Sequence, residues 1–310
     1  MNHAAPSHGH APKRLAIFGC GYVGSALACE ARHRGWHVLA LTRNAARGEE
    51  LRAHGVEVVA ADLAGDDWHE TVSREQDLVV NCVSSGGGGL PGYWRSYVDG
   101  TKSILRWAAH GVPATYVYTS STSVYGQGGG EVVTEESATG GGSEAAEPLL
   151  VAERLVREAT EFRRVFILRL AGIYGPGRHY LVDQLRSGAT LFPGTGAHRL
   201  NLAHRDDIVG AIVACLLAPA GIGSTVFNVA DDTPTPKGEV ASWLAQQLGV
   251  APPQFAHDLA EPPPSGVSPV RGRSGPVPDR IISNARLKRV LHWSPRYPDY
   301  RAGYEAILGA

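Results

Sequence analysis

Short, wholly apolar runs alternate with stretches whose apolar residues recur every three to four positions, and one pitch of this alternation holds from Leu15 to Leu170. The first such run, "RLAIFGCG", predicts a strand; residues 22–34 predict a helix closed by Gly35, and "WHVLALT" a second strand. A helix over 45–54, closed by Gly55, and a third strand at "VEVVAA" follow. Further strands are expected at "DLVVNCV", "ATYVYTSS" and "VFILRLAG", with helices over 93–110 and 148–161 between them. The strand runs are apolar throughout, as a sheet covered on both faces requires. Strand and helix alternating at this pitch predict an α/β fold with a Rossmann-type, doubly wound parallel sheet.

Beyond Leu170 the rhythm breaks. "AGIYGPGRHY" leads to a short helix and the loop "FPGTGAHRLNLAH"; a helix over 206–217 and a strand at "STVFNVA" then resume the earlier style. The last third, with "APPQ", "EPPPSG" and "SGPVP", is loop-rich and carries helical patches at 236–248 and 283–291. The expected division is a dinucleotide-type domain over 12–170, completed by 206–232, and a smaller C-terminal substrate-binding lobe made of 171–205 and 233–310. Two glycine-rich loops, 84–89 and 126–143, follow the fourth and fifth strands, where loops line the ligand crevice of open α/β sheets.

Composition narrows the partner. The 310 residues are 43% hydrophobic and 19% charged with a net charge of −1, which excludes a disordered tail and a nucleic-acid-binding surface and leaves a small molecule as the expected ligand. No apolar run approaches the ~18 residues of a membrane span. The N-terminal "MNHAAPSHGHAPKR" lacks the apolar stretch of a secretory signal and reads as a frayed end. Cys20, Cys29, Cys82 and Cys215 stand singly in apolar runs, as buried reduced thiols do, so a cytoplasmic protein is expected. His3, His8 and His10 have no acidic or Cys partner nearby, and no HExxH spacing occurs, so no metal is expected.

"GCGYVG" sets Gly19, Gly21 and Gly24 in the GxGxxG spacing directly after a strand and at the opening of a helix. The first glycine permits the tight turn, the second lets a pyrophosphate approach the backbone, and the third lets helix and strand pack closely. The helix start then holds the phosphates. One strand on, where an acidic residue would hold a ribose 2′-hydroxyl, the chain has "LTRNAAR". Thr42, Arg43 and Arg47 suit a 2′-phosphate, which favours NADP over NAD. Asp62, in "AADLAGD", accepts from an adenine amino group or caps the following turn; the residues leave both open.

Taken in order, "GCGYVG", "DL" at Asp62, "VVNCVSS", "YVDGTKSIL", "YVYTSSTSVYG", "AERLV", "LRLAGIYGPGR", "HRDDI" and "VFNVADD" resemble the extended short-chain dehydrogenase/reductase superfamily, the NAD(P)-dependent epimerase/dehydratase group, in an atypical form. The resemblance implies a cofactor site that adds Tyr22, Val23, Leu63, Val83 and Ser84 to the residues above. It also implies an oxidoreductase or epimerase/dehydratase-like enzyme acting on a small polar substrate such as a sugar or nucleotide-sugar, and a homodimer formed through helices such as 93–110 and 148–161. In that family a Ser/Thr after the fifth strand and the Tyr and Lys of a YxxxK motif move the proton, the lysine lowering the tyrosine's pKa. Ser121 falls on the Ser/Thr position. Ala145 and Leu149 fall on those of Tyr and Lys, and the four lysines, Lys13, Lys102, Lys237 and Lys288, all lie far from this helix in sequence.

Alanine moves no proton, so a surviving reaction needs another acid/base. Candidates are Tyr125, after the fifth-strand serines; Tyr174, with Arg178 and His179, after the sixth strand; and His204 in "NLAHRDD". Each also has a structural reading: packing for Tyr125, a Gly/Pro turn around Tyr174, and a helix cap for His204. Asp206 and Asp207 read as first-turn carboxylates matched to a helix dipole. The alternative function is an NADP(H)-binding or sensing module without turnover.

Overall fold

Seven parallel strands, β1 (Arg14–Phe18), β2 (His37–Thr42), β3 (Glu57–Ala60), β4 (Leu78–Asn81), β5 (Val112–Ser121), β6 (Phe162–Leu170) and β7 (Thr225–Val229), form one sheet in the order β7-β6-β5-β4-β1-β2-β3 in the computed structural model. The structure describes residues 12–109, 112–140, 143–256 and 277–309. The N-terminal histidines and the "EPPPSG" run lie outside the described residues.

The order reverses beside β1, which pairs with β2 on one side and β4 on the other. Loops leaving the carboxyl ends of β1 and β4 therefore part to opposite faces and leave a crevice between them. The apolar strand runs become the sheet's interior: Leu15, Ala16, Ile17 and Phe18 of β1 and Val79 and Val80 of β4 are fully buried. Helices cover both faces, as the parallel connections demand.

Along the chain the helices are α1 (Tyr22–His33), α2 (Ala45–Ala53), α3 (Gly89–Tyr93), α4 (Gly100–Ala108), α5 (Ala146–Glu158), α6 (Tyr180–Arg186), α7 (Arg205–Leu216), α8 (Lys237–Leu248), α9 (Ala285–Leu291) and α10 (Tyr300–Leu308). The helix expected over 93–110 starts earlier, at Gly89, and is not uniform: a π-helical segment, Trp94–Asp99, joins α3 to α4. Periodicity in sequence does not distinguish a widened turn from an α-helical one. Among the described residues, no helix is long and apolar enough to cross a membrane.

Two hydrophobic clusters stand among the described residues. The larger fills both faces of the sheet; the second gathers Tyr174, Leu181, Val182, Phe192, Val240, Leu244, Tyr300 and Tyr304 from α6, α8, α10 and the loops between. Ile282, Leu287 and Trp293, assigned from sequence to the lobe, pack instead in the larger cluster. The cause is a long-range pairing, Arg280–Ile282 lying parallel to Glu131–Val133 in the loop after β5, which draws the C-terminal segment onto the sheet.

Candidate functional site

Phe18 ends β1, and Gly19 turns the chain with φ +90, a conformation that only glycine adopts without strain. A Cβ there would stand 2.6 Å from the backbone of Val83, because the loop after β4 closes on the turn. A Cβ on Gly24 would run into the carbonyl oxygen of Gly19, so helix α1 packs directly on the turn. Gly21 differs from both. A Cβ there would meet nothing within 4 Å, and no side chain caps the start of α1. The space beside Gly21 and the first N–H groups of α1 is thus shaped for an anion such as a pyrophosphate.

That space belongs to a cavity of about 660 Å³ that runs from Gly19, Gly21, Tyr22 and Val23 past Thr42, Arg43, Asn44, Asp62 and Leu63 to Val83 and Ser84, and on to Ser121, Ala145 and Leu149. The residues present fit a dinucleotide. Thr42 Oγ1 accepts from the Asn44 N–H (3.2 Å), and the Arg43 guanidinium lies beside Gly86, where any Cβ would displace it. Asp62 does double duty: its Oδ1 accepts from Ala64 N–H (3.1 Å), closing the turn, and its Oδ2 accepts from Arg95 Nη2 (3.0 Å) with Arg43 Nη1 3.9 Å away. Partial burial pushes the Asp62 carboxyl up, but the Ala64 N–H and the two guanidiniums outweigh it and hold the pKa below the usual carboxylate range. Tyr22 donates to Pro176 O (3.0 Å), and its ring lies under the guanidinium carbons of Arg178 and Arg205, at 5.5 and 5.4 Å from its centroid.

Arg47 stands elsewhere. Its guanidinium pairs with Glu50 (2.5 Å) on the exposed side of α2, while its N–H donates to Asn44 Oδ1 to cap that helix, and it does not line the cavity. One turn of α2 carries it away from the strand end that Arg43 occupies, and Asn44 takes its place in the lining.

Of the residues expected to carry chemistry, Ser121 is placed in the cavity, at the end of β5, its Oγ accepting from Ser123 N–H (3.1 Å). Tyr125, Tyr174 and His204 are not. Tyr125 is fully buried; it donates to Asn228 Oδ1 (2.8 Å) and accepts from Arg169 Nη1 (2.8 Å). Arg169 in turn grips Glu153 of α5 through two bonds (2.9 and 2.7 Å), and Glu153 also accepts from Ser120 Oγ (2.7 Å). This buried network fixes α5 to β5 and β6, and each charge in it has a partner. Tyr174 packs in the second cluster against His204 and Tyr304, its buried hydroxyl without a hydrogen-bond partner among the described residues and its pKa raised first by burial. His204 Nδ1 accepts from Asp206 N–H (3.2 Å) and so caps α7; burial lowers its pKa to about 4, which keeps it neutral. Asp207, in the same first turn, accepts from the backbone N–H groups of Arg296 and Tyr297.

Among the cavity residues not singled out in the sequence, three carry chemistry that bears on the site. Tyr93 and Tyr97 reach it from the helix that begins in the first glycine-rich loop, and a phenol repeated at i, i+4 just after a crevice loop was a legible signal. Arg280 reaches it from the C-terminal segment, donating to Tyr125 O (2.5 Å) and Thr122 O (2.8 Å). No local pattern announces it, since its position depends on pairing with residues 131–133. Among the described residues no group of three or more His, Cys, Asp or Glu side chains is arranged to hold a metal ion.

The sequence model described as the NAD dependent epimerase/dehydratase family matches residues 16–230. The protein named YeeZ of Escherichia coli strain K12 is 28% identical over 299 residues, covering 93% of this chain and 97% of its own. A 3-diazoavenalumate denitrifying reductase of a Streptomyces species is 26% identical over 318 residues, covering 94% and 98%. Among solved structures, MoeE5 in complex with UDP-glucuronic acid and NAD superposes with a TM-score of 0.78 at 25% identity, covering 96% of this chain and 98% of its own.

Proposed function

The chain belongs to the NAD dependent epimerase/dehydratase family, and on that premise we propose that it binds NADP(H) in preference to NAD(H) and acts as an oxidoreductase or epimerase/dehydratase-like enzyme on a small polar substrate such as a sugar or nucleotide-sugar. The observation that carries the reading is the one cavity that joins the open side of Gly21, the Arg43 guanidinium and the Ser121 hydroxyl. When bound, the nicotinamide supplies or accepts a hydride at its C4. Gly21 and the start of α1 hold the pyrophosphate; Arg43 and Thr42 hold the 2′-phosphate; Ser121 donates to a substrate oxygen and keeps it oriented. The nucleotide-sugar reading draws support from MoeE5, whose structure holds UDP-glucuronic acid.

A second reading, cofactor binding without turnover, is favoured by Ala145 and Leu149, both buried where the resemblance expects Tyr and Lys. Fluorescence titration with NADPH and NADH tests the cofactor; with NADP+ and either UDP-glucose or UDP-glucuronic acid, absorbance at 340 nm tests net oxidation, and proton NMR of the sugar nucleotide tests epimerisation or dehydration, which leave the cofactor unchanged overall. NADPH should bind the tighter of the two, and Arg43→Ala should remove about tenfold of that preference, equivalent to ~1.4 kcal/mol. Equal affinity for both cofactors would overturn the NADP assignment. Tight NADPH binding with no turnover of either sugar nucleotide would favour the second reading.

A further inference from the structure

The cavity lacks a phenol at position 145 but contains two from another element. Tyr93, the last residue of α3, and Tyr97, inside the π-helical segment, line it together with Ser121, Ala145 and Leu149. Residues four apart share one side of a helix, and the two rings stand 5.4 Å apart at 52°. Both side chains are buried, at 5% and 7% exposure, so they are ordered parts of the wall. The segment is tied to the crevice loop by Ser96 Oγ, which donates to Ser85 O (3.2 Å). π-Helical turns are rare and frequently lie at functional sites. Here the turn sits between the glycine-rich loop and the helix packed against α5.

We propose that the Tyr93–Tyr97 pair is the acid/base of this site, replacing the phenol that Ala145 cannot supply. The assignment rests on the oxidoreductase reading above. In the reducing direction a phenol O–H bond breaks and the proton passes to the substrate's carbonyl oxygen. That oxygen takes it with the electron pair of the C=O π bond while the carbonyl carbon gains the hydride, and water returns a proton to the phenolate. The ionisable groups that share the cavity with the pair are Tyr22, Arg43, Asp62, Arg178 and Arg280. Two thiols, Cys20 and Cys82, also line it, and burial keeps both protonated. From β5, Tyr118 lies close enough to feel the charge of Tyr97, its own pKa raised first by burial and then by that phenol; from α5, Glu153 is committed to Arg169 and Ser120. Arg43, Arg178 and Arg280 are thus the cations that line this cavity with the pair.

The test uses the full chain with tyrosine labelled with 13C at Cζ, titrated by NMR from pH 6 to 11 alone, with saturating NADP+, and with saturating NADPH. Tyr93→Phe and Tyr97→Phe, which keep the ring and its packing, assign the two resonances. An oxidised nicotinamide carries a positive charge that the reduced ring lacks, so a phenol beside it ionises more readily with NADP+ than with NADPH, although both carry the same phosphates. The expected result is a resonance, lost in one of the two variants, that ionises about tenfold more readily with NADP+ only. Cofactor bound with neither resonance responding, or the response appearing at Tyr22, Tyr125 or Tyr174 instead, overturns the proposal and leaves the cofactor reading standing. Failure of either dinucleotide to bind overturns the cofactor reading, and the proposal falls with it. If one variant does not fold, the other still assigns its own resonance, and Phe substitutions of Tyr22, Tyr125 and Tyr174 show whether a remaining response belongs to one of them, which overturns the proposal; no tyrosine responding to NADP+ alone also overturns it.

Discussion

Three glycines within six residues do three different jobs, and substitution separates them. Alanine at Gly24 drives a methyl group into the Gly19 carbonyl and should cost about 1–3 kcal/mol of stability, read by urea denaturation. Alanine at Gly21, whose φ is −83, meets open space, so the fold should lose under about 1 kcal/mol while NADPH affinity falls at least tenfold. Equal losses of affinity and stability at Gly21 would show that the space beside it is not the phosphate cradle. This contrast was half legible in the sequence: the spacing announces the turn, but only the fold shows that Gly19 is crowded by Val83 while Gly21 faces open space. Arg47 shows the opposite limit. A guanidinium four residues past Arg43 reads as a second phosphate ligand until α2 forms and turns it toward Glu50. Tyr125 was ambiguous for a similar reason, its partners Arg169 and Asn228 being distant in sequence and brought together only by β6 and β7.

The sheet strands of the first 170 residues were legible because a buried parallel sheet demands unbroken apolar runs. What escaped is where an element's meaning depends on its surroundings. The π turn between α3 and α4 has no signature in hydrophobic period, and the short strands at 131–133 and 280–282 are recognisable only as a pair. Helix α7 illustrates a cap that can be tested by itself. His204 caps it as a neutral imidazole, so the contribution is fully present above pH 6.5 and is lost as pH falls through about 4, where the folded protein must accept the proton. His204→Ala should therefore cost about 1 kcal/mol at pH 7 and progressively less toward pH 4, measured by thermal denaturation. A pH-independent cost would mean that packing against Tyr174 and Tyr297, not the cap and its charge state, is what the histidine contributes.

Across the whole molecule, buried carboxyls set a pH dependence of opposite sign. Burial raises Asp231 to about 8, with Asp232 and Asp299 adding to it, and raises Asp207 to about 6. Both bind their protons more tightly in the folded chain than in the unfolded one. Each therefore contributes stability that is fully present below about pH 4 and is lost as pH rises, through about 6 for Asp207 and about 8 for Asp231. Asp231→Asn, which keeps the size without the charge, should raise stability relative to the parent by an amount that grows from pH 4 to 8 and reaches on the order of 1–3 kcal/mol. A flat difference across that range would show the carboxylate to be solvated. Arg280, finally, carries a consequence for the order in which the molecule comes into being. The glycine turn, the Arg43 strand end and the Ser121 strand end all leave the ribosome long before it, yet Arg280 is the side chain that ties the Thr122 and Tyr125 carbonyls to the far end of the chain. On the function proposed above, a nascent chain would have its glycine turn and Arg43 made while the wall beside Ser121 is still unpinned, and the final tenth of the polypeptide would close that interval.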